Sequence, residues 1–299
     1  MASQLFNIRC DNCGSEYRIT TRGEMNCPFC GSKIYLNDKD FEAFKKARDE
    51  MLLKDRADND AASYEGDVWR KWNNELQIFF ETDSGKSINC KYFYEYAAKR
   101  KTIYVGSHHI SILYHSHNPV DRIVNNINSI NYPTADIKKL ARFVPNIVLT
   151  ANLKDGNSLL VLSKPENVYP LAMVDNLDPK QVAWMISRME NLGCLLNFNE
   201  KDFDQLVLTD FYFNPKMHDL YLLDGWEYLE DNPAPLGYLT ECRTIAKGIM
   251  NTGAAPKECM EFLETPSALT AYDDFEKWEW VLNNGFNGHH FHHFPGLVY

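Results

Sequence analysis

The 299-residue chain has no apolar run near the roughly 20 residues that a membrane-spanning helix requires. Its first residues, Met-Ala-Ser-Gln, also lack the charged-then-apolar pattern of a secretory signal. We therefore expect a soluble cytoplasmic protein with no membrane partner. The chain also has no excess of basic residues, since its net charge is -10. This acidic balance argues against a broad, positively charged surface that binds nucleic acid.

Cysteine is sparse, with eight residues in all, but four of them form two Cys-x-x-Cys pairs: Cys10 with Cys13, and Cys27 with Cys30. A glycine follows each pair and permits a tight turn in which backbone amides approach the sulfurs. Four thiolates at this spacing suit a tetrahedral Zn²⁺ ion and leave no open position for water, so the site is expected to be structural. A redox pair usually occurs singly, and two disulfides are unexpected in a reducing compartment.

The pattern resembles a zinc ribbon over residues 1–36, with short strands at 17–20 and 33–36. A protein partner is expected for the chain, and the ribbon is a possible contact for nucleic acid or protein through its scattered basic residues. The other four cysteines occur singly and are expected to be reduced, buried and inert: Cys90, Cys194, Cys242 and Cys259.

Residues 37 to about 60 have alternating charges and an apolar residue every three or four positions. This pattern predicts a helical linker over residues 37–69. Beyond it, β-rich runs occupy 88–96, 102–105 and 109–115. A short helix at 119–130 follows, and then a second hairpin pairs 147–153 with 158–162 around Asp155-Gly156-Asn157.

The most informative stretch spans residues 203–229. Two apolar runs, 211–213 and 220–223, flank a proline-containing turn and predict a hairpin. This places Asp210 before one strand and Asp224 after its neighbour, so both carboxylates can reach one divalent cation. A role for both aspartates in turns is an equally good interpretation of the same pattern.

Leu222-Leu223-Asp224-Gly225-Trp226 resembles the metal-binding Asp-Phe-Gly segment of protein kinases, with Gly-Trp in place of Phe-Gly. The kinase catalytic motif, His-Arg-Asp-Leu with an Asn five residues after the Asp, then falls on Phe203-Asp204-Gln205-Leu206, and Asp210 takes the Asn position. Gln205 stands where the base belongs, and an amide cannot accept the proton. The resemblance therefore implies a pseudokinase. A shifted register would make Asp210 the base, but the strand would then begin inside the catalytic loop.

Other kinase features are also missing. Three strands, a helix and two strands match the order of a kinase N-lobe, expected here over residues 70–165. No glycine-rich phosphate loop separates the first two strands, the third strand has no lysine and the helix has no glutamate. Lys99, Arg100 and Lys101 are the alternatives for that lysine, from a different strand. The missing groups argue against binding of ATP and Mg²⁺.

Residues 166–299 resemble a truncated kinase C-lobe that is all helical after a proline-rich hinge at 163–170. Helices are predicted from Asp178-Pro179, over 238–250 and 256–263, and over 271–282. The tail contains His289, His290, His292 and His293, which either bind a transition metal or simply flank docking phenylalanines. The fold prediction is therefore α+β: a zinc ribbon followed by a degenerate two-lobed kinase-like domain, similar to proteins of bacteriophages and bacteria.

Three functions compete at this point. The first is a non-catalytic pseudokinase scaffold, indicated by the simultaneous loss of the positioning groups on which phosphoryl transfer depends. The second is an unorthodox phosphotransferase in which Asp210 and Asp224 hold Mg²⁺. The third is a phage structural or nucleic-acid-associated protein that binds through its ribbon.

Overall fold

The computed structural model describes residues 6–9, 16–19, 23–26, 30, 32–36, 75–98, 100–115 and 118–289. The chain divides into two compact units, Met1–Gly66 and Asp67–Phe294. The helical linker expected over residues 37–69 lies outside the described residues. No described helix combines the length and hydrophobicity needed to cross a bilayer.

The first unit contains two antiparallel strand pairs. Strand β1 (Phe6–Arg9) pairs with β2 (Glu16–Ile19), and β3 (Gly23–Asn26) pairs with β4 (Lys33–Leu36). The strands predicted beside the cysteine pairs therefore exist as β2 and β4. In the sequence, Cys10 and Cys13 fall between β1 and β2, and Cys27 and Cys30 fall between β3 and β4.

The second unit begins with a hairpin of β5 (Leu76–Glu81) and β6 (Ser87–Tyr92). A five-stranded antiparallel sheet follows, in the spatial order β10-β11-β9-β8-β7. Its strands are β7 (Tyr94–Ala97), β8 (Lys101–Val105), β9 (His109–Tyr114), β10 (Asn146–Asn152) and β11 (Ser158–Ser163). The single strand predicted over 88–96 is wrong, because Phe93 separates β6 from β7 and the two strands join different sheets.

The sheet is apolar on both faces in its central strands. Tyr104, Leu113, Leu159 and Val161 pack with Phe80 of the β5–β6 hairpin. The alternate residues of the same strands are equally buried, among them Ile103, Val105, Ile110, Ile112, Leu160 and Leu162. Burial on both faces explains why these strands read as continuous apolar runs.

Helices α1 (Val120–Asn128) and α2 (Ala135–Lys138), with a short 3₁₀ turn (Lys139–Phe143), connect β9 to β10. The tight β10–β11 turn passes through Gly156, whose φ of 83° belongs to the left-handed region that glycine adopts easily. The predicted helix and hairpin are therefore confirmed, but five strands rather than the expected three precede the helix, because β5 and β6 form a separate hairpin before the five-stranded sheet.

The remainder is built around α3 (Pro179–Phe198), which packs against α4 (Leu236–Ile249) and α6 (Ala271–Gly285). The predicted start of α3 is confirmed, since the Asp178 side chain accepts a hydrogen bond from Lys180 N. Helix α5 (Lys257–Glu264) lies beside α4 and α6. Trp184, Met185 and Leu195 show no measurable exposure, so α3 is the core of this part.

The prediction of an all-helical larger lobe is wrong, because two small sheets precede α4. One contains β12 (Tyr169–Pro170), β14 (Phe211–Asn214) and β15 (Asp219–Leu222). The other pairs β13 (Lys201–Phe203) with β16 (Leu229–Asp231). The hairpin predicted around the 215–218 turn is confirmed as β14 and β15, with Phe211 opposite Leu222. The class is α+β, as expected.

Candidate functional site

Asp224 occupies a rigid turn just after β15. Its Oδ1 accepts a hydrogen bond from Gly225 N at 2.8 Å, and the Trp226 indole donates to Leu222 O at 3.0 Å. Gly225 has a φ of 81°, and a Cβ at this position would lie 3.1 Å from Asp210 Oδ2. Glycine is therefore required both by the backbone conformation and by the close approach of a second carboxylate.

That second carboxylate belongs to Asp210, which ends a 3₁₀ turn (Leu208–Asp210) just before β14. Its Oδ2 accepts from Val207 N at 2.8 Å, and its backbone carbonyl accepts from Leu223 N at 3.0 Å. Asp210 and Asp224 are only 3% and 2% exposed. Burial, and then the charge of Asp224, raise the pKa of Asp210 to about 8.

A lysine from the neighbouring five-stranded sheet reaches these carboxylates. Lys101, the first residue of β8, places Nζ 2.6 Å from Asp224 Oδ2 and 3.5 Å from Glu227 Oε1. The Asp224 contact is a close and buried ion pair, since the Asp224 side chain is only 1% exposed. Burial alone lowers the pKa of Lys101, but the charges of Asp224, Glu227 and Asp210 outweigh it and raise the pKa well above its ordinary value.

Two tyrosines complete the surroundings. Tyr114 lies directly opposite Lys101 in the β8–β9 register, and Tyr212 lies on β14. Both are 2% exposed, and burial followed by the charge of Asp224 raises the pKa of each hydroxyl well above its ordinary value. Both hydroxyls are therefore neutral at physiological pH.

We name Lys101, Tyr114, Asp210, Asp224 and Glu227 the acidic cluster. Lys101 is one of the three residues expected as alternatives to the missing lysine of the third strand. Strand β9 has no lysine, as the sequence indicates, and of the two alternatives within the described residues, Arg100 and Lys101, it is Lys101 that pairs with Asp224. Its side chain is on the same face of β8 as buried Ile103 and Val105, and a lysine in that alternation is the sequence signal for a buried cation.

A glutamate is also present, although α1 provides none. Glu227 follows Asp224 by three residues, and no sequence pattern identified it. Helix α1 contributes Asn126 instead, whose amide donates to Trp226 O at 2.7 Å and to Leu229 O at 3.2 Å. The helix is therefore bonded to both ends of the turn that carries Glu227.

Gln205 lies exposed between β13 and the 3₁₀ turn and has no group that titrates. The nearby buried carboxylate, Asp202, has a structural role: its two oxygens accept from Gly237 N at 2.9 Å and Tyr238 N at 2.8 Å. These are first-turn amides of α4, so Asp202 acts as a cap from outside the helix.

The other candidate residues are only partly visible. Cys30 lies within the described residues and is exposed, whereas Cys10, Cys13 and Cys27 lie outside them. In the tail, His289 Nε2 lies 3.0 Å from Glu279 Oε2, and His290, His292 and His293 lie outside the described residues.

The single cysteines form no disulfide: Cys90, Cys242 and Cys259 are buried, and Cys194 is half-buried. Burial raises the pKa of all four thiols, which matches the expected inertness.

No protein-family model and no curated protein matches the chain. Among solved structures, WbdD bound to the kinase inhibitor LY294002 is similar with a TM-score of 0.46 and 11% identity, over 64% of this chain and 46% of that chain. Vaccinia related kinase 3 is similar with a TM-score of 0.47 and 11% identity, over 69% of this chain and 90% of that chain. This chain thus spans about half the length of WbdD.

Proposed function

We propose that this chain is a catalytically degenerate, protein-kinase-like protein that works as a binding scaffold. The order of β7, β8 and β9, then α1, then β10 and β11 supports a kinase-like small lobe. The larger lobe adds α3, a loop containing Gln205, and the Asp224-Gly225 turn after a hairpin. The assignment thus follows from element order together with the position of Asp224.

The observation that carries the non-catalytic proposal is the closure of Lys101 over Asp224. A kinase-like metal site needs an accessible carboxylate that can coordinate Mg²⁺ together with the nucleotide phosphates. Here Asp224 is 2% exposed, and one oxygen already lies 2.6 Å from an ammonium nitrogen. As they stand, Asp210 and Asp224 do not fit a Mg²⁺-nucleotide group.

Two further features support the same proposal. Gln205 offers no proton acceptor where the base belongs, and the loss of general-base catalysis typically costs about 10²- to 10⁴-fold in rate. The connection from β7 to β8 is a tight turn closed by a hydrogen bond from Ala98 N to Lys101 O at 2.8 Å. It offers no glycine-rich loop to cover a triphosphate.

A thermal-unfolding titration with ATP and Mg²⁺ tests the proposal. Ligand at about 100 times its Kd stabilises a folded protein by roughly 2.7 kcal/mol, which is about 5–10 °C for a domain of this size. We expect no Mg²⁺-dependent shift of this kind. A saturable shift that is absent in Asp224→Asn would overturn the scaffold proposal.

The second candidate is an unorthodox Mg²⁺/ATP-dependent phosphotransferase. It is favoured by the fact that Lys101, Glu227 and Asp224 form a lysine–glutamate–aspartate set of the kind that orders kinase phosphates. It requires the cluster to open before nucleotide enters. Phosphate transfer from labelled ATP that disappears in both Asp224→Asn and Lys101→Met would support it, and transfer unchanged by Asp224→Asn would exclude this site.

For the first unit, we propose a structural zinc ribbon. Each Cys-x-x-Cys pair falls in the connection between two paired strands, β1 with β2 and β3 with β4, which is where the two knuckles of a ribbon belong. Elemental analysis is expected to give one zinc per chain, and less in Cys10→Ser/Cys13→Ser. If nucleic acid binds the protein and this double variant binds it equally well, the ribbon has no part in that binding.

A further inference from the structure

Two arginines from different elements of the second unit meet at one aspartate. Arg142 belongs to the 3₁₀ turn Lys139–Phe143, Arg188 lies on α3, and Asp219 is the first residue of β15. Arg142 Nη2 lies 3.3 Å from Asp219 Oδ1, and Arg188 Nε lies 3.6 Å from the same oxygen. One carboxylate oxygen therefore faces two guanidinium groups.

The two guanidinium groups are close enough to repel each other. Burial lowers the pKa of Arg188, the charge of Asp219 opposes this effect, and the charge of Arg142 lowers the pKa further. The shared carboxylate carries one negative charge against two positive charges. The arginine pair therefore keeps a net positive charge that a further anion can neutralise.

Neighbouring side chains add to this positive charge. Lys138 is exposed four residues before Arg142 and has no ion pair within the described residues. Lys139 is already paired, because its Nζ lies 2.6 Å from Asp136 Oδ1. Together with the second arginine and the shared aspartate, these groups are four cations and two carboxylates. A phosphate monoester carries a charge of about −1.5 to −2 at pH 7, which matches this excess.

The arginine pair also has hydrogen-bond donors to spare. Each guanidinium has five N–H donors in a planar fork. Arg188 donates from Nε to the carbonyl of His218 at 2.8 Å, and its terminal nitrogens form no hydrogen bond within the described part of the chain. Its side chain is 22% exposed and that of Arg142 is 54% exposed. An oxyanion can therefore approach from solvent and accept hydrogen bonds from both side chains.

The turn that carries Arg142 also borders a cavity. Ala141 and Val144 line this cavity of about 550 Å³ together with Val124 and Ile127 of α1. Apolar surface beside a cationic pair favours an organic phosphate over the free ion, because the carbon part of the ligand gains contacts there. The surroundings of the arginine pair thus fit a phosphorylated side chain within a peptide.

We propose that Arg142 and Arg188 form a binding site for the phosphoryl group of a phosphorylated partner peptide. The terminal oxygens of the phosphoryl group accept hydrogen bonds from both guanidinium groups, and neighbouring apolar side chains of the peptide contact the cavity beside α1. This inference assigns a class of partner to the scaffold and so rests on the proposed function. The arginine site shares no residue with the acidic cluster.

Phosphorus-31 nuclear magnetic resonance titrations measure the binding of two probes to the full chain. The probes are inorganic phosphate and a mixed pentapeptide library with phosphoserine at its centre, without nucleotide or added metal. Wild type is compared with Arg142→Met and Arg142→Lys. Lys154→Met is the matched control, because it also removes one exposed positive charge, from an ion pair with Glu81.

Wild type is expected to bind the library at least about tenfold more tightly than inorganic phosphate, because the peptide buries additional apolar surface. Arg142→Met should weaken binding of both probes by about tenfold or more, since it removes charge-assisted hydrogen bonds. Arg142→Lys should recover only part of this loss, because an ammonium lacks the planar fork of a guanidinium. Lys154→Met should bind like wild type.

Three results would overturn the inference: no saturable binding of the library by wild type, library binding that Arg142→Met leaves unchanged, or inorganic phosphate bound as tightly as the library. The last result would leave a site for the free ion only. Failure of the scaffold proposal is reported separately, by a Mg²⁺-dependent ATP shift that Asp224→Asn abolishes. Since neither probe contains nucleotide and no metal is added, the two failures are distinguishable.

Discussion

Replacing Arg243 by methionine should severely destabilise the second unit. Arg243 on α4 is 6% exposed and donates two hydrogen bonds, at 2.7 and 2.8 Å, to the carboxylate of Asp274 on α6, which is fully buried. It also donates to the carbonyls of Phe262 and Thr265 at the end of α5. One side chain therefore bonds three helices together.

The expected cost follows from what remains after the substitution. Methionine retains an apolar stem over the Phe262 ring, which the guanidinium approaches to 4.0 Å. Among the hydrogen bonds of the described residues, Asp274 then keeps the one from Ala268 N, and its charge loses the guanidinium that neutralised it. Breaking a buried ion pair from one side typically costs about 3–5 kcal/mol, or roughly 1.5–2.5 M in the urea midpoint at a slope of about 2 kcal/mol/M.

The control is on the same helix. Lys247 pairs with Glu264 at 2.7 Å, but these side chains are 44% and 57% exposed, so Lys247→Met should cost no more than about 1 kcal/mol. The double variant Arg243→Met/Asp274→Leu should recover much of the loss, because no unpaired buried charge remains. Urea unfolding followed by tryptophan fluorescence measures all three. Equal midpoints for Arg243→Met and Lys247→Met would refute the reasoning.

Three other measurements test separate contacts. Asn126→Ala should cost about 1–3 kcal/mol by leaving two carbonyls unpaired, whereas Asn125→Ala, exposed on the same helix, should cost little; equal urea midpoints would contradict this. Asp202→Asn should destabilise the start of α4 by about 1 kcal/mol, and an unchanged unfolding midpoint would argue against the cap. For Glu190, burial and then Asp274 raise the folded-state pKa from 4.5 to about 8, so its contribution to stability is complete below pH 4.5 and is lost as the pH rises through 8. Glu190→Gln should therefore gain stability relative to wild type between pH 5 and 9, and a constant difference would refute the assigned pKa.

Much of the fold was predictable because local signals agreed with tertiary packing. The Asp178-Pro179 start of α3, the Gly156 turn and the β14–β15 hairpin each combine turn chemistry with apolar runs. Strands β13 and β16 escaped prediction because they are three residues long and pair across an intervening hairpin. The break at Phe93 was also invisible, since an apolar residue between two β-rich runs has no propensity signal.

The site was predicted in part. Asp210 and Asp224 were identified from their positions at strand ends, and their burial in a common cluster follows from the register of one hairpin. Lys101 and Glu227 lie outside the positions at which the kinase motifs place a lysine and a glutamate. A sequence motif specifies which helix or strand carries a given side chain. An ion pair, by contrast, depends only on the position of the charged atom in the folded protein, whichever element carries it. Because Lys101 and Tyr114 are cross-strand neighbours, a lysine on either strand can place its ammonium near Asp224.

The origin of Glu227 has a consequence for how the two lobes are coupled. In protein kinases the glutamate that pairs with the lysine lies on the small-lobe helix, so the position of that helix controls the ion pair. Here Glu227 and Asp224 belong to one turn of the larger lobe, and the helix contributes Asn126, which bonds to backbone carbonyls of that turn. A displacement of α1 therefore breaks neutral hydrogen bonds but leaves both carboxylates facing Lys101. The lysine contacts connect β8 directly to the turn that carries both carboxylates, and this is the closed arrangement that the scaffold proposal assumes.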